Sequence, residues 1–293
     1  MSSSLNDIKR RLASVNQTKQ ITNAMYLLSA SRLKKAMVGM DYIIDHIEAM
    51  ERSMADILKQ NTGAELHDQY FEKSPNGTPL IMCIMGDKGL CGSYNNDVAL
   101  LTMQKLSETK NAEICCFGQI GADFLRNKGI IPDKVFPGSS MHPEFSLAKE
   151  IAEDLIEDYL TDNINEVYVI YTPYSRAGRQ KPVCVRLLPF LYEDFTAFDD
   201  HNKARLIYEP GAKEVFAAIV PFYCASVLFD MLMESSASEN SARMEAMLSA
   251  CESADEEIYE LETELNTVRQ LTITNEITEI SAAAEAGKKS ESL

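Results

Sequence analysis

Residues 4 to 60 contain no proline and a single glycine, Gly39, so the stretch reads as one long helix. Leu5, Ile8, Leu12 and Val15 recur in steps of three and four, as do Met40, Ile43, Ile47, Met50, Met54 and Ile57. That is the spacing of a coiled-coil seam, held longer than a single surface helix would hold it. Ile21, Met25 and Leu28 between the two runs keep the spacing and shift its phase. At 1.5 Å per residue the helix approaches ~85 Å, longer than the diameter of a domain of this size. It has to protrude, and its apolar stripe needs a partner.

The partner is at the other end of the chain. From about Gly211 to Ile280 the sequence is helical again, with Pro221 expected to kink the run or mark a junction. Val227, Leu228, Met231, Leu232, Met244, Met247, Leu248, Ile258, Leu261, Leu265, Val268, Ile273, Ile277 and Ile280 are spaced mostly by three and four. Residues 281–293 are small and polar and are expected to fray as a flexible tail. Because the middle returns the chain to its starting end, the two helices are expected to pack antiparallel. Each large apolar side chain in the seam then contributes about 1.5–3 kcal/mol before entropy is subtracted. The expectation is an α/β fold class: a long antiparallel coiled coil (1–60 with 211–280) plus a small globular base.

That base spans 77–195, after the turn-rich Ser74-Pro75-Asn76-Gly77. Strand-like runs at 79–85, 113–117, 167–171 and 183–188 alternate with helical stretches near 97–108, 120–127 and 146–160. Continuous apolar strands in such an alternation predict a small doubly wound, Rossmann-like parallel sheet covered on both faces.

Charge excludes one class of function. The 293 residues carry 28 Lys and Arg against 44 Asp and Glu, a formal charge of -16, which on average repels a phosphate backbone. Residues 1–40 nevertheless hold seven basic groups and one acid, net +6, leaving -22 on the rest, with an acidic stretch at 252–264. Attraction between the paired helices accounts for part of this pattern, at ~0–1 kcal/mol per exposed pair. Seven dispersed cysteines without a CxxC pair read as reduced, packing thiols. The sequence shows no signal-peptide core and no apolar run of 18 residues, so no membrane span is expected.

No catalytic constellation is evident. The loop Gly86-Asp87-Lys88-Gly89-Leu90-Cys91-Gly92-Ser93 follows a strand but lacks the Gly-Lys-Ser/Thr ending of a phosphate loop, and reads as a turn requiring positive φ. Gly118 and Gly121 likewise punctuate a turn. His46, His67, His142 and His201 have no ligand spacing, and Asp87 and Asp97 have no evident second carboxylate. No cofactor, metal or catalytic residue is expected.

Five blocks, however, occur in a recognisable order: LNDIKRRLASVNQTKQITNAMYLLSASRLKKA at 5–36, MGDKGLCGSYN at 85–95, YEP at 208–210, ESSASENSARMEAM at 234–247 and NTVRQLTITNEITEI at 266–280. Together they resemble the gamma subunit family of F-type ATP synthase. The resemblance implies a non-catalytic subunit of a proton-translocating ATP synthase: a rotary-motor shaft that couples ion-driven rotation of the c ring to ATP synthesis or hydrolysis at alpha/beta sites. It implies alpha, beta, epsilon and c-ring partners, no cofactor, and a peripheral place on the cytoplasmic side of a bacterial plasma membrane. H⁺ or Na⁺ as coupling ion is left open. A nucleotide-dependent enzyme and a cytosolic coiled-coil scaffold are the competing readings; the failed phosphate loop opposes the first and the five ordered blocks the second.

By motif, the resemblance assigns Met25 to the block facing the beta-subunit lever, although seam packing accounts for it equally well. Arg269, Gln270 and Thr274 match polar positions that grip a beta-subunit loop. Ile273, Ile277 and Ile280 form an apolar bearing surface or, on the residues alone, core. Tyr208 and Glu209 match the segment facing the c ring, and Arg243 beside Met244 a supporting position at a junction. Asn23 and Thr267 stand where the family often has Lys, and Asp255, Glu256 and Glu257 add acidity nearby. No cysteine-bearing insertion of the chloroplast kind is present, so no thiol switch is expected.

Overall fold

The computed structural model describes residues 5–60, 69–73, 76–138, 140–176, 180–195 and 207–291. His67, His201 and the Ser74-Pro75 half of the predicted boundary lie outside them. The chain divides into two compact units, one of Met1–Leu28 with Met244–Leu293 and one of Ser29–Arg243.

The larger unit holds a five-stranded sheet. Strands β1 (Thr78–Ile84), β2 (Glu113–Phe117), β3 (Lys134–Phe136), β4 (Ile164–Tyr171) and β5 (Val183–Leu188) are ordered β3-β2-β1-β4-β5. The first four are parallel; β5 pairs antiparallel with β4. Helices α2 (Tyr94–Glu108), α3 (Gln119–Asn127) and α4 (Phe145–Leu160) connect them, so the doubly wound expectation holds with an antiparallel edge added. β3 escapes the sequence reading because three residues of mixed polarity carry no periodic signal.

Central strand β1 shows why the sheet needs cover on both sides. Its pleat sends Leu80, Met82 and Ile84 into one core, with α4, Met54 and Ile57 of α1 (Leu5–Gln60), and Phe216, Val220 and Leu228 of α5 (Ala212–Glu291). Ile81, Cys83 and Met85 enter the other, with Val98 and Ala99 of α2 and Ala122 and Leu125 of α3. Alternate residues of one apolar run therefore serve two cores.

α5 stays helical through Pro221, which has no N–H to offer the preceding turn. By length and composition a part of α5 within Ala212–Ala282 could cross a membrane, contrary to the sequence expectation of no such run. Part of that apolarity serves the core, where Phe216, Val220, Cys224, Leu228 and Leu232 are buried. The helix also continues to Glu291, past residue 281 where fraying is expected, through three consecutive alanines, the strongest helix formers.

In the smaller unit the two terminal helices run antiparallel: Arg11 pairs with Glu257, Lys19 with Asp255, and Thr22 Oγ1 lies 3.0 Å from Cys251 Sγ. Partner numbers rise on one helix as they fall on the other. Within the larger unit Tyr223 Oη donates to Glu51 at 3.0 Å, in the same sense. On α5, Met247, Ala254 and Leu261 are buried and Cys251, Ile258 and Leu265 half-buried, the a/d alternation of a heptad.

The predicted phase shift on α1 does not occur. Buried or half-buried positions continue in register at Leu12, Val15, Lys19, Thr22, Tyr26, Ser29, Leu33, Ala36 and Met40. Small or polar Thr22, Ser29 and Ala36 occupy buried seam positions, and Ile21 (54% exposed) and Leu28 (50%) face outward.

Two glycines separate flexible from rigid obstruction. A Cβ on Gly39 would meet only the terminal methyl of Met233, whereas Gly118, at φ +97°, faces the backbone of Met85 and Gly86. Gly39→Ala should be neutral or stabilising by up to ~1 kcal/mol. Gly118→Ala should cost about 1–3 kcal/mol. Urea unfolding of both variants checks the contrast.

Candidate partner surfaces and the buried junction

Of the nine residues assigned by resemblance to partner contacts, six lie at the far end of α5. From 269 to 282 every residue is exposed, because the seam with α1 runs out at half-buried Val268. Arg269, Gln270 and Thr274 point to solvent, and the Thr274 hydroxyl donates to the Gln270 carbonyl at 2.9 Å. Ile273, Ile277 (59% exposed), Ile280 (70%) and Leu271 have no cover among the described residues, so core packing within the chain does not explain them.

Met25 is half-buried, flanked by exposed Ile21, Leu27 and Leu28. Sequence spacing placed Ile21 and Leu28 in the seam; the register of the buried Thr22 and Ser29 puts them outside it, extending the apolar surface beside Met25. The signal that could have found this is unbroken seven-residue counting from Leu5 regardless of side-chain polarity.

Tyr208 and Glu209 belong to the larger unit, far along the sequence from the other seven. Tyr208 packs against the larger core; its hydroxyl oxygen is buried without a hydrogen-bond partner among the described residues, and burial, then the Asp56 charge, raises its pKa. Glu209 is exposed at the rim of a groove of about 450 Å³ with His46, Met50, Glu214, Ile219 and Phe222.

The glycine loop after β1 is not a phosphate cradle but one side of a buried polar junction. The Asp87 carboxylate accepts N–H bonds from Gln119 (2.9 Å), Gly138 (2.8 Å), Ser140 (3.0 Å) and Met141 (3.3 Å), drawing together the loops that follow β1, β2 and β3. From α5, Arg243 donates to the Lys88 and Gly89 carbonyls at 3.0 and 3.2 Å and to Glu239 at 2.5 Å. Ser140 Oγ lies 2.9 Å from Asp87 and 3.1 Å from Glu239. The second carboxylate that sequence spacing did not give Asp87 is therefore Glu239, reached through Ser140. Arg243 takes the supporting place that its motif implied.

Local backbone explains the loop's composition. Positive φ falls on Leu90 (62°) and Gly92 (58°), not on Gly86 or Gly89. Gly86 is favoured by proximity, since a Cβ there would sit tightly against Glu239 and Asn95. Gly121, expected in a turn, sits inside α3, where it lets the helix approach Met85. Burial pushes the Cys224 thiol up to about 12 and Cys115 to about 11, the behaviour of inert packing groups.

Farther along α5, burial raises Asp230 to about 6, while Glu234, one turn on, reaches about 7 through burial and the Asp230 charge. Both pKa values exceed their unfolded values, so the stability they contribute is present below about pH 4 and lost as pH rises through 6 and 7. Asp230→Asn should raise stability at pH 8 by roughly 1 kcal/mol, after discounting for partial exposure, with the gain shrinking toward pH 4. Denaturant titrations at several pH values read this out.

Known proteins agree with this architecture over nearly the whole chain. The sequence profile described as ATP synthase matches residues 4–286. The ATP synthase gamma chain of Ruminiclostridium cellulolyticum is 34% identical over 98% of this chain and 99% of its own length. That of Alkaliphilus metalliredigens is 35% identical, covering 97% and 99%. A gamma chain described as sodium ion specific, from Acetobacterium woodii, is 32% identical over 98% and 99%. A chain of the Euglena gracilis mitochondrial ATP synthase, in a structure of OSCP, F1 and c-ring, shares the fold with TM-score 0.66 at 15% identity, covering 99% of this chain and 96% of that one. These matches make the chain a member of the ATP synthase gamma-chain family.

Proposed function

We propose that the chain is the central rotor shaft of an F-type ATP synthase, coupling ion-driven rotation of the c ring to ATP synthesis or hydrolysis at alpha/beta catalytic sites. The observation that carries this reading is the end of α5. Its residues 269–282 leave the helix pair exposed on every side and carry an isoleucine face that nothing among the described residues covers. A helix that is apolar on one face and fully solvated is stabilised by a partner that buries that face.

Ile273, Ile277 and Ile280 form the bearing surface inside the alpha/beta ring. Arg269, Gln270 and Thr274 offer polar contacts to a beta-subunit loop, and Met25 with its apolar neighbours meets the beta lever. Tyr208 and Glu209 face the c ring, and epsilon completes the rotor. Asymmetry does the coupling: a single shaft presents different residues to three chemically identical sites, and only differential contact can bias their conformations in turn. The chain itself supplies no reacting group. Membrane attachment comes through the complex, on the cytoplasmic side of a bacterial plasma membrane.

The purified chain alone should hydrolyse no ATP and should restore coupled hydrolysis to an alpha and beta mixture. ATPase activity in the isolated chain would sink the reading. Affinity purification from detergent-treated membranes should bring down alpha, beta, epsilon and c subunits. In reconstitution, Arg269→Ala should raise the concentration needed for half-maximal activation roughly tenfold, the ~1.4 kcal/mol expected for a lost charge-assisted hydrogen bond. An unchanged concentration would remove Arg269 from the contact.

A further inference from the structure

Hydrogen counting in the buried junction comes out one short when both of its acids are ionised. Ser140 Oγ has one hydrogen to give, yet two carboxylate oxygens lie within bonding distance, Asp87 Oδ2 at 2.9 Å and Glu239 Oε2 at 3.1 Å. The same oxygen already accepts the Asp87 N–H at 3.0 Å, leaving one further lone pair. If both acids were ionised, one O···O contact would have no hydrogen in it, in a site where Ser140, Glu239 and Arg243 are all buried.

We propose that Glu239 is a proton-binding site, carrying its carboxyl hydrogen in the folded chain at neutral pH and donating it to Ser140 Oγ. Ser140 then donates to Asp87 Oδ2, and four backbone N–H groups already converge on that carboxyl group as an acceptor. Every polar atom of the chain Glu239, Ser140, Asp87 is satisfied in one direction only.

The groups facing Glu239 come from several elements. Arg243 lies on its own helix, Asp87 on the loop after β1, Cys91 and Tyr94 at the entry to α2, and Ser140 on the loop after β3. Among them only Arg243 is cationic. Burial is the foremost influence raising the Glu239 carboxyl; Asp87 adds to it, and Arg243 and Ser140 oppose it. The bound proton thus holds α5 to the loops after β1 and β3, and its removal sets two carboxylates against one hydroxyl.

Infrared difference spectroscopy on the full chain tests the assignment independently of any partner or rotary activity. At pH 8, where Asp230 and Glu234 are largely ionised, wild type minus Glu239→Gln should show the C=O band of a protonated carboxyl group. A carboxylate band in its place overturns the proposal. Should Glu239→Gln fail to fold, carboxyl-¹³C glutamate labelling of Glu51→Gln/Glu234→Gln protein, which lacks the other two glutamates that burial raises among the described residues, reads the same group. An acid band that shifts with the label supports a protonated Glu239, and the absence of such a band overturns it.

Discussion

Everything in this chain follows from the need to bury a narrow apolar stripe on a helix too long to fold back on itself. A stripe of a and d positions is stabilised only by another helix in matching phase, and here the other helix lies at the opposite end of the chain. Bringing those ends together closes a loop that contains the entire sheet, at an entropic cost growing slowly with length. The sheet offsets that cost by sharing its larger core with both helices: Met54 and Ile57 of α1 and Phe216 and Leu228 of α5 pack into the same cluster as β1 and α4.

Electrostatics divides in the same way between surface and interior. Arg11 with Glu257 and Lys19 with Asp255 are exposed pairs that add little free energy and chiefly select one register. Arg243 with Glu239 is of another kind, both side chains being nearly inaccessible and hydrogen-bonded to the loops after β1 and β3. Breaking such a buried pair from one side leaves an uncompensated group, so the junction fixes which part of α5 meets the ends of the strands. A fixed junction and an uncovered helix end are each what a shaft requires if it is to transmit a difference in contact.

Much of this was legible in the residues. The first long helix is marked by the absence of proline and both by steps of three and four, and the alternation of apolar strands with helices gives a doubly wound sheet. Periodicity failed where polarity and burial part company. Thr22 and Ser29 are seam residues although polar, and Ile21 and Leu28 are surface residues although apolar, because helical phase decides the face and hydropathy does not. β3 was too short to register, and the antiparallel sense of β5 is a matter of pairing that no single strand encodes.

The sequence by itself determined the family, the two terminal helices, the order of the main strands and, by motif, nine candidate contacts. Only the tertiary structure decided which of those contacts the chain leaves uncovered, since exposure depends on where α1 ends relative to α5. It also decided that Asp87, Ser140 and Glu239 form one hydrogen-bonded line. Those three residues come from separate stretches of the sequence, and only the packing of α5 against the strand ends brings their oxygens within 3.1 Å.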